Sequence, residues 1–173
     1  MRLRLVACSA ICVSLVVSSV SSALNPDAMT DQERGMIVNG CRGAQAQMQR
    51  VEYVDPIARV NRGNAYANIA KLMTALGSRS AYNSYNVPAF IAATNTMLPL
   101  RQEFSSAYTD YEIALRELVT FDCVNKPVEF YKRLDAVRAK RAHVAAVIAS
   151  IGDQLDIFSR GLLDLQTQMK ARP

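Results

Sequence analysis

The side chains with the widest chemical range in this sequence are one histidine and two close pairs of carboxylates. His143 has no nucleophile and carboxylate grouped near it in the sequence, which favours a solvated surface position over a catalytic or metal-binding role. Asp110 with Glu112 and Asp153 with Asp156 have helical spacings that suit solvent faces and interhelical ion pairs. Glycoside hydrolysis needs two carboxyl groups across a cleft, and a slender helical protein offers little cleft. The sequence therefore predicts no catalytic residues, no metal site and no cofactor.

A basic segment is the sharpest charged feature of the chain. Its cations are Lys126, Lys132, Arg133, Arg138, Lys140 and Arg141. Lys132 to Arg141 form a candidate patch for an anionic ligand such as an envelope glycan, lipid headgroups or DNA. A turn near Asn125 would instead bring Glu117 and Glu112 opposite this segment, so structural ion pairing is favoured. No aromatic residues alternate with the cations on an outward face, and no nucleic-acid partner is expected.

Two tyrosines are candidates for a contact with a partner. Tyr82 and Tyr85 lie in the polar stretch 78–86, which predicts a loop between two helices. Amphipathic tyrosines in Ser- and Asn-rich loops are typical of binding surfaces, although an ordinary polar turn is the simpler interpretation.

The first 23 residues have the pattern of a secretory signal peptide. Arg2 and Arg4 precede an apolar stretch, and small residues end at Ala23, where we expect cleavage. An uncleaved membrane anchor is the alternative. Cleavage would remove two of the 20 basic side chains and leave 18 against 15 acidic ones, a net charge of +3. The expected location is secreted, periplasmic or attached to the cell envelope.

Three long helices are predicted for the mature domain, residues 24–173. Thr30 and Glu33 form a capping box, from which apolar residues recur at steps of four and three over 31–76, with Gly77 at a C-cap position. This apolar face includes Leu72, and its two polar interruptions are Asp55 and Arg62. Pro88 and Pro127 can open helices over 88–122 and 127–171. The last helix keeps one heptad seam from Phe130 to Met169, which only Arg141 interrupts.

The two cysteines of the mature chain bear on the topology. In an exported protein, Cys41 and Cys123 suggest one disulfide. Cys41 lies 35 residues before Leu76, and Cys123 lies 35 residues after Pro88, so antiparallel helices would place them level along the axis. This favours an all-α, elongated antiparallel three-helix bundle or coiled coil. The alternative is a four-helix bundle with a break at Asp55-Pro56, because proline removes a helical hydrogen bond.

The stretch 118–141 resembles a recurrent segment of small exported helical proteins from ultrasmall, candidate-phylum bacteria. The resemblance rests on Phe121-Asp122-Cys123, Lys126, Phe130-Tyr131, Leu134 and the run Val137-Arg138-Ala139-Lys140-Arg141, with the early Cys41. It implies an exported helical protein with no assigned activity, and Pro56 departs from the unbroken first helix of that pattern.

These observations favour an interaction or structural module that presents a helical face or the tyrosine-bearing tip to a protein partner, with homo-oligomerisation as one form. A membrane-active or lipid-binding protein is an alternative, since residues 144–151 are also apolar at positions outside the heptad seam. A chaperone-like oligomer in the periplasm belongs to the first class.

Overall fold

The computed structural model describes residues 28–171, and the predicted signal peptide lies outside them. Three helices, α1 (Asp31–Tyr82), α2 (Pro88–Val119) and α3 (Pro127–Ala171), run antiparallel in chain order. The described residues contain no β-strand. The prediction of an all-α three-helix bundle is therefore confirmed.

Helix α1 begins at the predicted capping box. The Glu33 backbone N–H donates to Thr30 Oγ1 at 3.3 Å, and the Thr30 backbone N–H donates to Glu33 Oε2 at 2.7 Å. Hydrogen bonds from Thr30 hold the pKa of the Glu33 carboxyl below its ordinary value. The local sequence alone therefore sets where this helix starts.

Helix α1 continues through Pro56, so the four-helix alternative is wrong. Three polar contacts with α2 hold the helix on both sides of the proline. Their distances are 3.2 Å between Arg116 and Glu52, 2.8 Å between Tyr111 and Asp55, and 3.3 Å between Arg59 and Glu112. These contacts stabilise the helix where Pro56 removes one backbone hydrogen bond.

The α1 C-terminus differs from the prediction. The helix passes through Gly77 and ends at Tyr82, so most of the expected 78–86 loop is helical. The connection turns at Ser84, whose φ of 57° is left-handed. Gln168 of α3 fixes this loop, because its side-chain amide pairs with the Asn86 backbone N–H and C=O at 3.1 and 2.8 Å. At the other end of the bundle, α2 ends at Val119 rather than at residue 122.

Helix α2 lies between the other two helices and has more buried residues than either of them. Helices α1 and α3 each pack along α2 and meet one another only sparsely. Ten α2 residues are buried, against three in the longer α1, which are Cys41, Met73 and Ser80. The arrangement leaves a groove between α1 and α3, with α2 as its floor.

The buried face of α1 keeps the predicted phase except at Leu72. Leu72, expected to face the core, is 62% exposed, whereas Met73 is fully buried. A straight α-helix drifts by about 20° per heptad relative to a strict seven-residue repeat. Over the five heptads from Ile37 to Leu72, this amounts to about 100°, the angle of one residue. Met73 therefore takes the core position that the repeat assigned to Leu72, while Ile69 and Leu76 of the predicted face still pack against the core.

Helix α3 keeps its heptad seam. The residues at seven-residue spacing are all buried: Phe130, Val137, Val144, Ile151, Phe158 and Leu165. At about 1.5 Å per residue, its 45 residues span about 65 Å. Arg141 interrupts the seam as the sequence indicated, and Met169 at its end is 55% exposed.

Phe90 is the centre of the core at the loop end of the bundle. It is fully buried, and its ring centroid lies 4.2 Å from that of Phe158. A Cβ built on Gly161 of α3 would lie 3.1 Å from Phe90 Cβ, and one on Gly77 of α1 would lie 3.5 Å from the ring. Two glycines therefore let α1 and α3 approach the same phenylalanine.

Alanine at two glycines of α3 is expected to have opposite effects on stability. Gly152→Ala meets open space, so it should raise the free energy of unfolding by about 0.5–1 kcal/mol through helix propensity. Gly161→Ala meets Phe90 and should lower it by about 1–3 kcal/mol through overpacking. Urea denaturation followed by circular dichroism measures both values. A stabilising Gly161→Ala would contradict the close approach.

The disulfide closes the opposite end of the bundle. Cys41 and Cys123 are bonded, with their Cα atoms 5.8 Å apart. One turn further along α1, Gln45 Nε2 donates to the carbonyl oxygens of Val119 and Phe121 at 3.0 and 2.8 Å. Gln45 thus satisfies carbonyls that the end of α2 leaves without helical partners.

Candidate functional site

The groove between α1 and α3 combines charged, aromatic and apolar side chains. One cavity of about 210 Å³ is lined by Asp55 and Arg62 of α1, Tyr108 of α2, and Arg141 of α3. A second cavity of about 190 Å³ shares Arg141 and is mainly apolar. Other lining residues of the second cavity are Met48, Val51, Tyr111, Leu115, Leu134, Val137 and Arg138. The groove therefore joins a charged compartment to an apolar one.

Tyr111 and Asp55 form the polar contact at the bottom of this groove. The Tyr111 hydroxyl donates to Asp55 Oδ2 at 2.8 Å. Burial, and next the hydrogen bond and charge of Asp55, raise the pKa of Tyr111 far above its usual value. The tyrosine is therefore a fixed donor, and it engages one oxygen of the carboxylate.

Tyr108 lies one helical turn away and has a different environment. The residue as a whole is only 6% exposed, and its hydroxyl, which pairs with no group among residues 28–171, keeps access to solvent. Burial and the neighbouring Asp55 raise the pKa of this phenol, while Arg62 and Arg141 act in the opposite direction. Both guanidinium groups are therefore close enough to influence the same hydroxyl.

The structure divides the basic segment of the sequence. Arg133 contacts Glu117 at 3.7 Å and lies 4.5 Å from the centre of the Phe121 ring. Arg138 pairs with Asp135 of its own helix at 3.0 Å. Glu112, which the sequence placed opposite the segment, pairs with Arg59 of α1 instead. Arg133 and Arg138 therefore each have a carboxylate partner in the described part of the chain.

The remaining members of the predicted patch also have separate positions. Lys132 and Lys140 are exposed on α3 and line none of the described cavities of the groove. Arg141 lines both of those cavities, and Arg138 lines the apolar one. Of the five residues of the predicted patch, only Arg141 lines both cavities of the groove.

The two tyrosines at the tip have unequal environments. Tyr82 ends α1 and is 89% exposed. Tyr85 is partly buried and packs against the core, so it helps to anchor the loop. Of the pair, Tyr82 alone presents most of its ring to solvent.

The side chains first considered for chemistry lie apart from one another. His143 is 56% exposed at its side chain, with Nε2 3.7 Å from Glu103 Oε1. Asp110, Asp153 and Asp156 are exposed. Within residues 28–171, no group of three or more His, Cys, Asp or Glu side chains could hold a metal ion.

A short apolar stripe covers the side of α1 that faces away from the bundle. Tyr53, Ile57 and Val60 recur at steps of four and three and are 78%, 55% and 52% exposed, with Val54 beside them at 55%. Neighbouring positions at Val51, Asp55 and Ala58 face the bundle and are partly buried. The stripe therefore leaves four large side chains in solvent near the middle of the helix.

The sequence marks the polar residues of the groove but does not predict that they lie close together. Asp55, Arg62 and Arg141 are the polar residues that interrupt the apolar patterns of α1 and α3. The structure brings all three to one cavity. All three residues interrupt an apolar repeat, and this was the signal that the sequence offered. The signal does not indicate how the helices are rotated about their axes.

The comparisons with known proteins return no relatives. No protein-family model matches this chain, and neither a curated protein nor a solved structure matches it. A search of residues 28–171 finds no helix with the length and apolar character to span a membrane.

Proposed function

We propose that this protein is an exported helical-bundle interaction module that binds a protein partner through the outward stripe Tyr53, Val54, Ile57 and Val60. The observation that carries the proposal is the exposure of these side chains on a helix whose opposite side packs on α2. Exposed apolar side chains grouped on one helical face are typical of docking surfaces for another helix. No chemistry is required of the module.

The charges around the stripe indicate the type of partner. Arg42, Arg50 and Lys71 lie exposed on α1 and form no salt bridge among residues 28–171. Glu52 pairs with Arg116 of α2. A partner helix with an apolar face and acidic flanks would therefore complement this surface, whereas a second copy would bring like charges together. The disulfide supports export, since such bonds persist in oxidising compartments.

The apolar run 144–151, on which the membrane-active alternative was based, packs largely inside the bundle. Val144, Val147 and Ile151, the large apolar residues of the 144–151 run, are buried in the bundle, and Ile148 is partly buried. The exposed residues of that run are alanine and serine. Docking to a protein is favoured because the core already uses this apolar surface.

Site-specific photocrosslinking in the producing cell tests the proposal. A photoreactive phenylalanine analogue at Ile57 is expected to give one discrete adduct, identified by mass spectrometry. The same analogue at Gln166, an exposed position on α3, serves as the matched control and should give none. Val60→Glu should lower the yield from position 57 at least about tenfold, because it places a charge in an apolar contact.

Two results would count against this function. Equal adducts from positions 57 and 166, or none from position 57, would show that the stripe has no specific partner. An adduct containing only a second copy of this chain would replace the heterologous partner with a homo-oligomer.

A further inference from the structure

Two guanidinium groups without carboxylate partners line the same cavity from different helices. Arg62 of α1 and Arg141 of α3 both contact the 210 Å³ space between those helices. Neither forms a salt bridge or a hydrogen bond with any of the residues 28–171. Both arginines are exposed and interrupt the apolar repeats of α1 and α3.

The carboxylates nearest to this cavity are already engaged. Asp55 accepts the Tyr111 hydroxyl at 2.8 Å, and Glu112 lies 3.3 Å from Arg59. Only Asp55 lines the cavity with the two arginines. The compartment therefore keeps a net positive charge, which favours an anion.

A neutral donor completes the charged compartment. The Tyr108 hydroxyl lines the same cavity and has no hydrogen-bond partner in the described part of the chain. The hydroxyl keeps access to the cavity, so it can donate a hydrogen bond to an acceptor bound there. Two guanidinium forks and one hydroxyl together match the oxygens of a carboxylate or a phosphate.

The adjoining cavity differs in chemistry. Met48, Val51, Leu134 and Val137 give its 190 Å³ an apolar lining, and Arg141 stands between it and the charged compartment. Arg138 is also in its lining, but its guanidinium pairs with Asp135. An occupant that fills both spaces needs an anionic end and an apolar chain.

We propose that the groove between α1 and α3 binds a single-chain anionic amphiphile. Its carboxylate or phosphate head lies between Arg62, Arg141 and the Tyr108 hydroxyl, and its chain lies in the apolar cavity. This site is separate from the outward stripe of α1, so its occupancy and the docking of a protein partner can be measured independently.

Titration calorimetry on the oxidised protein tests this assignment. Dodecanoate and dodecyl phosphate, each below its micellar concentration, represent the two head chemistries. Inorganic phosphate represents the head alone, and dodecyltrimethylammonium represents the chain with the opposite charge. We expect saturable one-to-one binding of at least one anionic amphiphile, and its identity distinguishes a fatty-acid-like from a phospholipid-like source.

Three variants connect the binding to the named side chains. Arg62→Gln and Arg141→Gln should each raise the dissociation constant by about 10- to 100-fold, as expected for the loss of a charged hydrogen bond. Tyr108→Phe keeps the ring and should raise the dissociation constant by about 3- to 10-fold. Lys140→Gln, which removes the same charge next to Arg141 but outside the groove, is the matched control and should stay within about twofold. Circular dichroism of each variant establishes that the helices are intact.

Several results would overturn the proposal. Equal weakening by Arg141→Gln and Lys140→Gln would indicate general charge attraction. Equal binding of the cationic surfactant would show that the arginines do not select the head group. Equal binding of inorganic phosphate would show that the apolar cavity does not contribute to binding. Absence of binding by both dodecanoate and dodecyl phosphate would also reject the site.

Discussion

Replacing both Cys41 and Cys123 by serine is expected to lower the free energy of unfolding by about 4 kcal/mol. The bond joins residues 82 positions apart, and a cross-link that closes so long a loop strongly restricts the unfolded chain. Both cysteines are almost fully buried, so the serines also place two hydroxyl groups in the core. Urea denaturation followed by circular dichroism measures the difference between the two proteins.

A reductant provides the matched control for this prediction. It should destabilise the wild-type protein by a similar amount and leave the double serine variant unchanged. Intact-mass analysis should find the purified wild-type chain two hydrogens lighter than its reduced form. Two free thiols in exported protein, or a serine variant as stable as the wild type, would contradict a stabilising disulfide.

Phe90→Ala is expected to lower the free energy of unfolding by about 3–5 kcal/mol. The ring is fully buried between α1 and α3 and packs on Phe158 at 4.2 Å. Gly77 and Gly161 lie against Phe90 from α1 and α3, and they have no side chains to fill the space that the ring leaves. The cavity would therefore persist, and such cavities add to the loss of apolar burial.

Tyr82→Ala is the control for this loss of an aromatic ring. Tyr82 lies near the same end of the bundle but is 89% exposed, so its replacement should change the free energy of unfolding by less than about 0.5 kcal/mol. Urea denaturation of the two variants measures both values. A Phe90→Ala variant within 1 kcal/mol of the wild type would show that this end of the bundle is loosely packed.

The features that the sequence predicted correctly depend on residues close together in the chain. Thr30 and Glu33 specify the start of α1, and Pro88 and Pro127 begin the next two helices. The long apolar repeat of α3 and the level positions of Cys41 and Cys123 were enough to predict three antiparallel helices. Capping and periodicity act over one or a few helical turns, so a single sequence contains them.

The features that the sequence did not reveal depend on contacts between helices. Gly77 is a residue typical of a helix C-cap, but it lies inside α1, where the ring of Phe90 packs close to it. Leu72 continues an apolar pattern, but the gradual rotation of a straight helix turns it to solvent and brings Met73 to the core. In both cases a residue of α2 or the rotation of α1 determined the outcome.

The same distinction applies to the candidate site. The sequence by itself determined three long helices, their order and the polar interruptions at Asp55, Arg62 and Arg141. Only the tertiary structure decided that α1 and α3 pack on α2 with little contact between them, and that the three interruptions line one cavity. The physical reason is that periodicity defines an apolar face for each helix, whereas packing against α2 sets the rotation of that face and the width of the groove.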